Sequence, residues 1–302
     1  MLNIADALQK ADVNHVRMNE PMSRHTTWKV GGPADLLIYP QSKKELSNAM
    51  RVVNQFQLPW RAIGRGSNLL VRDGGIRGVV FKLDEGFNHF HVEGSKVVVG
   101  GGYSTILCAS MVSKQGLTGL EFAGGIPGNI GGAVYMNAGA HGSDISRVLT
   151  SAEVLLENGE WKILSNEALC FKYRTSILQN ELRGIVTEAT FELEWGDPDL
   201  ITASLQKFKD RRRQTQPLQF PCAGSVFRNP EGDYAGRLIQ AAGLSGFRVG
   251  DAEVSTLHAN FIINRGQATA SDVLNLISHV ISVIETKFGV TLKPEVQVIG
   301  EE

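Results

Sequence analysis

The chain is poor in the residues that mark an extracellular or metal-dependent protein. It has three cysteines, Cys108, Cys170 and Cys222, an odd number with no CxxC spacing. That pattern suits a reducing cytosol better than a disulfide framework. His25, His89, His91 and His141 share no ligand spacing with cysteine or carboxylate, so no metal is expected. An excess of either charge is also missing: 30 Lys and Arg against 31 Asp and Glu leave a formal net charge of −1. No overall field therefore favours nucleic acid or an anionic membrane. No apolar run approaches membrane-spanning length, and MLNIADALQKADVNH lacks the apolar centre of a signal peptide. The expectation is a soluble, cytoplasmic globular protein with room for two or three domains.

Glycine is what the chain has in quantity. FAGGIPGNIGGAVYMNAGAHG (122–142) carries glycine at 124, 125, 128, 131, 132, 139 and 142 and almost no charge. Glycine loses more conformational freedom on folding than any other residue and packs nothing, so this density implies a place that side chains would obstruct. A second loop, GRGSN (64–68), offers Gly64 and Gly66 for a turn whose N–H groups point one way, with Ser67 and Asn68 adding side-chain donors. Such a nest suits a pyrophosphate, although a lone loop of this kind is more often a tight surface turn. Neither loop is a GxGxxG or Walker A motif. Two together favour a large cofactor lying along backbone.

The surrounding pattern mixes helix and strand. DLLIY (35–39) and WRAI (60–63) read as strands, with SKKELSNAMRVVNQF (42–56) a helix between them. Ser42 and Glu45 stand in capping-box spacing there. This is a βαβ unit with a parallel crossover. GVVFKL (78–83), KVVVGG (96–101) and RGIVTEATFELEW (183–195) are further strands, and a helix lies near 104–115. Asn158-Gly159 within SAEVLLENGEWKIL predicts a type I′ hairpin. LITASLQKFKDRRRQ (200–214) is a helix with apolar Leu200, Ile201, Leu205 and Phe208. In the last third, helix YAGRLIQAAG, strand HANFIIN and helix SDVLNLISHVISVIETKF with Gly289 as C-cap make a compact α+β unit.

HTTWKVGGPAD (25–35), GRGSN, AGGIPGNIGGAVYMNAGAHG (123–142), KYRTS (172–176), AGSVFRNP (223–230), HANFIIN (258–264) and PEV (294–296) follow one another in this order. The ordered set resembles the UDP-N-acetylenolpyruvoylglucosamine reductase family over residues 20–299, in its shorter type without an extra tyrosine-bearing loop. The resemblance implies an α+β fold: two FAD-binding subdomains of the vanillyl-alcohol-oxidase/p-cresol-methylhydroxylase type, 1–82 and 83–200, and a C-terminal α+β substrate domain, 201–302. It implies non-covalent FAD, held by Ile63, Gly64, Arg65, Gly66, Ser67, Asn68 and Leu69 at the pyrophosphate. Gly124, Gly125, Ile126, Pro127, Gly128, Gly131, Gly132, Asn137, Ala138 and Gly139 would line the flavin. NADPH is the implied electron donor. The implied reaction reduces UDP-N-acetylglucosamine enolpyruvate to UDP-N-acetylmuramate, in peptidoglycan precursor synthesis and hence in cell-wall biogenesis, cell shape and cell division.

By the same resemblance, Arg174 in KYRTS is the active-site arginine. A guanidinium grips a carboxylate through two parallel bonds and stays charged as the enolate grows. Ser225 in AGSVF is the implied proton donor. A serine hydroxyl is a weak acid, but an enolate-like carbanion is basic enough to take its proton. Glu295 in PEV is the implied carboxylate near the substrate, either donating a hydrogen bond if protonated or orienting water or serine if ionised. Substrate-binding candidates are Tyr173, Gly224, Arg228, Asn229, His258 and Asn260. His258, in an apolar strand, reads equally as a satisfied core residue. No protein partner is evident. Three alternatives stand beside this reading: an oxidase of the same fold, a serine hydrolase using Ser225 and His258, and a binding protein without turnover. The absence of a GxSxG elbow weighs against the second.

Overall fold

The computed structural model describes residues 2–302. Its helices are α1 (Leu2–Lys10), α2 (Lys43–Gln55), α3 (Thr105–Lys114), α4 (Ile130–Tyr135), α5 (Pro198–Thr215), α6 (Ala235–Ala241) and α7 (Ala270–Phe288). The chain divides into two compact units. The first comprises the segment ending at Arg17 with Leu36–Gly64 and Gly78–Arg211; the second comprises Met18–Asp35, Arg65–Arg77 and Arg212–Glu302.

In the first unit α2 forms as its spacing predicts, except that Phe56, expected on its apolar face, lies past its last turn and is exposed. Ser42 accepts a hydrogen bond from the Glu45 N–H at 3.1 Å, and Leu46, Ala49, Met50, Val52 and Val53 are buried. The crossover differs from expectation. Sheet order runs Val16–Pro21, Pro33–Ile38, Ile76–Lys82, Trp60–Ile63, so a third strand separates the two that flank α2. The parallel partner of Trp60–Ile63 is Ile76–Lys82, with Trp60 opposite Val79. The physical reason lies in the run Val79-Val80-Phe81, which is apolar on both faces and fully buried, as an interior strand requires. Trp60–Ile63 exposes Arg61 and Ala62 and takes the edge.

The same unit holds an antiparallel sheet in the order Trp161–Ser165, Leu149–Leu156, Gly184–Glu192, Lys96–Gly100, Phe90–Glu93. Alternation along its strands feeds two cores: Val154 and Val186 pack with residues of α3 and α4, whereas Leu155 and Ile185 pack with α1 and α2. The hairpin turn is not type I′. Gly159 has φ +85° but Asn158 is outside the left-handed region, and the Gly159 N–H reaches Leu156 O at 2.9 Å. The loop therefore has three residues, a tight turn followed by a left-handed glycine, the next commonest hairpin solution. RGIVTEATFELEW is also not one strand: it breaks at Leu193, and Glu194–Trp195 pairs separately with Leu117–Thr118.

Helix α5 starts two residues earlier than its apolar spacing suggests. Pro198 opens it, and the Asp197 carboxylate accepts from the Asp199 N–H at 2.9 Å; Pro at the first helical position gives up an N–H that would be unpaired anyway. Leu200 does not join the apolar face but is 69% exposed, while Ile201 and Leu205 are buried.

The second unit packs α6 and α7 on a three-stranded antiparallel sheet, Arg248–Val249, Ala252–Val254 and Ile262–Asn264. Its core gathers Trp28, Phe227, Leu238, Val254, Leu276 and Ile284. Trp28 is fully buried and donates its indole N–H to Ile262 O at 2.7 Å, so truncating it to alanine would cost about 3–5 kcal/mol. Helix α7 begins one residue before the expected Ser271, with a Thr269/Asp272 capping box, and ends at left-handed Gly289. HANFIIN is a strand only over Ile262–Asn264. His258 and Asn260 lie in a preceding turn, closed by the Phe261 N–H to His258 O at 2.9 Å.

Candidate active site

The glycine loop of the first unit uses its glycines in two ways. A Cβ on Gly131 would lie 2.9 Å from Val186 O and 3.1 Å from Gly101 O, and one on Gly124 would meet Leu205 Cδ1 of α5 at 2.1 Å. A Cβ on Gly139 would lie 2.5 Å from Ser143 O. Those three allow close approach of neighbouring chain. A Cβ on Gly132 would meet nothing within 4 Å. Hydrogen bonds fix the loop against Gly101–Thr105: Gly131 N–H to Gly101 O at 2.9 Å, Ile130 N–H to Tyr103 O at 2.9 Å, and Thr105 N–H to Gly128 O at 3.1 Å. Gly125, Ile126, Pro127 and Gly128 run half-buried between the Glu121–Gly125 turn and α4.

Asn129, which sequence reasoning did not single out, precedes α4. Its Nδ2 donates to Gly102 O at 2.7 Å, and its Oδ1 lies 3.3 Å from where Gly64 would carry a Cβ. That Oδ1 and Thr105 Oγ1 are buried without a hydrogen-bond partner among the described residues. Its only sequence signal was a polar residue of N-cap type ahead of Ile130. Buried polar atoms ordinarily find a partner. These two atoms, with the open side of Gly132, fit a flavin dinucleotide laid along backbone.

Asn137 is 2% exposed, at φ +43°. Its amide is spent on protein: Nδ2 donates to Lys172 O at 3.1 Å, and Oδ1 accepts from the Ser146 N–H at 3.0 Å. This ties Ala138 and Gly139 to the turn that carries Arg174. Lys172 and Thr175 exchange two backbone bonds of 3.1 Å, and Arg174 between them sits at φ +57°. Left-handed backbone is unfavourable for a side chain of this size, and the turn's two backbone bonds hold it there. The Arg174 guanidinium carbon lies 5.1 Å from the centre of the exposed Tyr173 ring.

In the second unit four sequence-distant motifs meet. Gly66, at φ +65°, approaches His25 O so closely that a Cβ would lie 2.3 Å away, and Gly66 O accepts from Thr27 N–H at 3.4 Å. Asn68 Nδ2 donates to Glu295 O at 3.2 Å and Asn68 O accepts from Gln297 N–H at 3.0 Å, as Leu69–Val71 pairs in parallel with Gln297–Ile299. The Glu295 N–H in turn donates to Val226 O at 2.7 Å, placing Glu295 beside the residue that follows Ser225. Gly224, at φ +75°, turns the chain into Ser225.

Asn260 lies on the other side of this segment. It is 4% exposed; its Oδ1 accepts from the Phe227 N–H and its Nδ2 donates to Phe227 O, both at 2.9 Å. Its own carbonyl accepts from Val226 N–H at 2.8 Å. Asn229 Oδ1 accepts from Ala235 N–H at 3.1 Å, at the start of α6. Arg228 Nε is buried without a hydrogen-bond partner among the described residues. His258 Nδ1 accepts from the Asn260 N–H at 3.3 Å, and burial holds the ring's pKa below the ordinary histidine value. Arg65 is exposed, whereas Ile63, at the end of its strand, is buried, and Ser67 and Leu69 are half-buried. Among the described residues no group of three or more His, Cys, Asp or Glu could hold a metal ion, and no helix is long and apolar enough to cross a membrane.

Residues 34–165 match a family model described as FAD binding domain. The fold is shared with berberine bridge enzyme from Eschscholzia californica, at 14% identity and TM-score 0.51 over 76% of this chain and 53% of that one. The molecule is a flavoprotein of the vanillyl-alcohol-oxidase fold type. Residues 216–299 match the model described as UDP-N-acetylenolpyruvoylglucosamine reductase, C-terminal domain. UDP-N-acetylenolpyruvoylglucosamine reductase from Anoxybacillus flavithermus is 54% identical over the whole of both chains, and that of Bacillus subtilis is 50% identical over 99% of each. The crystal structure of UDP-N-acetylenolpyruvylglucosamine reductase from Thermus caldophilus superposes at TM-score 0.81, with 36% identity, over 94% of this chain and 98% of that one. The chain belongs to the UDP-N-acetylenolpyruvoylglucosamine reductase family and is an FAD-dependent oxidoreductase.

Proposed function

We propose that the chain reduces UDP-N-acetylglucosamine enolpyruvate to UDP-N-acetylmuramate at the expense of NADPH, in peptidoglycan precursor synthesis in the cytoplasm. Bound FAD supplies the hydride chemistry that links NADPH to the enolpyruvyl ether. Residues 1–82 and 83–200 are its FAD-binding subdomains and 201–302 its substrate domain. Gly64–Leu69 would hold the pyrophosphate, and Gly132, Thr105 and Asn129 would face the cofactor along the glycine loop. Its partners are small molecules, with no nucleic acid, membrane or obligate protein partner.

Hydride addition to the vinyl carbon leaves negative charge on the neighbouring carbon, delocalised into the carboxylate. Arg174 holds that carboxylate and stabilises the charge as it grows. Ser225 delivers the proton, and Glu295 stands beside it to orient the transfer. Arg228 supplies a cation for the diphosphate of the UDP-sugar. One observation carries the reading of Ser225 and Glu295: the hydrogen bond from Glu295 N–H to Val226 O, which makes neighbours of residues seventy positions apart in sequence.

The test is an anaerobic visible spectrum of the protein reduced with NADPH and then given the enolpyruvyl ether. The oxidised flavin bands should return without oxygen. With Ser225→Ala, FAD should still bind and bleach, but saturated product should not be released. Full turnover by that variant would remove Ser225 from the mechanism, and recovery of the parent's bands only on admitting air would favour the oxidase.

A further inference from the structure

We propose that Asn260 is a positioning residue: its amide clasps Phe227 and so sets Ser225 against Glu295 for proton delivery. This rests on the role given to Ser225 above.

The segment Val226–Arg228 lies outside the regular sheets and pairs along its chain through an isolated antiparallel bridge, Phe227 opposite Pro294. Two flanks hold it. On one side Val226 O accepts from Glu295 N–H at 2.7 Å and Arg228 N–H donates to Lys293 O at 2.9 Å. On the other, Asn260 supplies three bonds: its carbonyl to Val226 N–H at 2.8 Å, and both ends of its amide to Phe227 at 2.9 Å. A primary amide is the side chain that can accept and donate at once, which is what the N–H and C=O of one residue demand. Burial leaves no water to replace either bond, so the pair fixes the Phe227 backbone rather than merely decorating it. Ser225 lies two residues upstream, and Glu295 hangs from the residue between. An error in Phe227 is therefore passed to the distance between donor and carboxylate. Because both ends of its amide are engaged, Asn260 acts through Phe227 and not by touching the substrate amide.

The discriminating variant is Asn260→Asp. A carboxylate still accepts from Phe227 N–H, but it can donate to Phe227 O only when protonated. That carbonyl and the burial of the site raise the aspartate's pKa, so the missing donor returns as pH falls. Limiting rates of flavin reduction by NADPH and of flavin reoxidation by the enolpyruvyl ether would be measured anaerobically from pH 6 to 8.5. Reduction should stay within about twofold of the parent, and reoxidation at pH 8.5 should fall on the order of 10- to 100-fold, the scale of a sub-ångström to 1 Å misplacement. The variant-to-parent ratio for reoxidation should then climb as pH is lowered. Equal slowing of both half-reactions, parent-like reoxidation at pH 8.5, or a ratio flat with pH would overturn the proposal. Should the aspartate variant not fold, Asn260→Ala serves: reoxidation alone slowed supports the role, and both or neither slowed overturns it. A parent protein that is reduced but never reoxidised by the ether would sink the reductase reading itself, and this role with it.

Discussion

Gly131 and Gly132 are adjacent, identical in type and opposite in use. At Gly131 an added Cβ runs into Val186 O and Gly101 O, so Gly131→Ala should destabilise the protein by about 1–3 kcal/mol whether or not FAD is bound. At Gly132, inside α4, the added Cβ meets no atom. Gly132→Ala should therefore stabilise the flavin-free protein by roughly 0.5–1 kcal/mol through helix propensity, while weakening FAD. Thermal unfolding of the flavin-free variants and fluorescence titration with FAD would separate the two; unchanged FAD affinity in Gly132→Ala would mean that position does not face the cofactor. The density of glycine was legible in the sequence, and so was the need for room. Which glycine admits protein and which admits ligand was not, because the obstructing carbonyls come from Val186 and Gly101. Asn137 was legible as a polar contact on the glycine surface, Asn260 as a site residue only through resemblance. Their bonds to Lys172 and Phe227 could not be read, since a polar residue near a motif looks the same whether it faces substrate or backbone.

Helix α2 shows where reading by element works and how it can be checked. Its start was legible from Ser42 and Glu45, but Glu45 does more than cap. It is buried, which acts to raise its pKa, yet hydrogen bonds from Gln41 N–H, Asn14 N–H and His15 outweigh that and hold the carboxyl below its ordinary value of 4.5. The ionised form is thus favoured by folding. Its stabilising effect is complete above pH 4.5 and is lost as pH falls through the lower folded value. Glu45→Gln should cost about 1–3 kcal/mol at pH 7, and urea titrations should show the gap to the parent closing below pH 4.5. A gap independent of pH would mean that the charge of Glu45 contributes nothing. Elements failed where a distant partner decided the outcome. The order of the four-stranded sheet followed from the burial of Val79–Phe81, and the break at Leu193 from pairing with Leu117–Thr118. Local chemistry that was misread, the three-residue hairpin and Pro198, was visible in the sequence and simply had two solutions.

The molecule as a whole carries three cysteines of graded burial: Cys108 buried, Cys222 half-buried and Cys170 exposed. Cys108 in the first unit is 1% exposed, and burial pushes its pKa up to about 12. Cys222 in the second is also raised by burial, with the Gly224 N–H and Arg212 acting the other way. A disulfide reagent should label Cys170 at once in the native protein. Cys108 should follow only at the opening rate of its unit, and half-buried Cys222 should fall between the two. Immediate labelling of Cys108 would contradict the packing of α3. The interleaving of the two units was not legible at all, because nothing local in Leu69–Val71 names Gln297–Ile299 as its partner.

That interleaving reaches into biosynthesis. Trp28 is clasped by Asn264, 236 positions later in the chain. At about 5–20 residues per second a ribosome takes roughly 10–50 s to make that stretch. The first unit's last segment, ending at Arg211, is complete well before then. Until then the tryptophan lacks the partner that clasps it in the native protein. The indole and the Leu69–Val71 strand edge thus go without their native partners for most of the chain's synthesis.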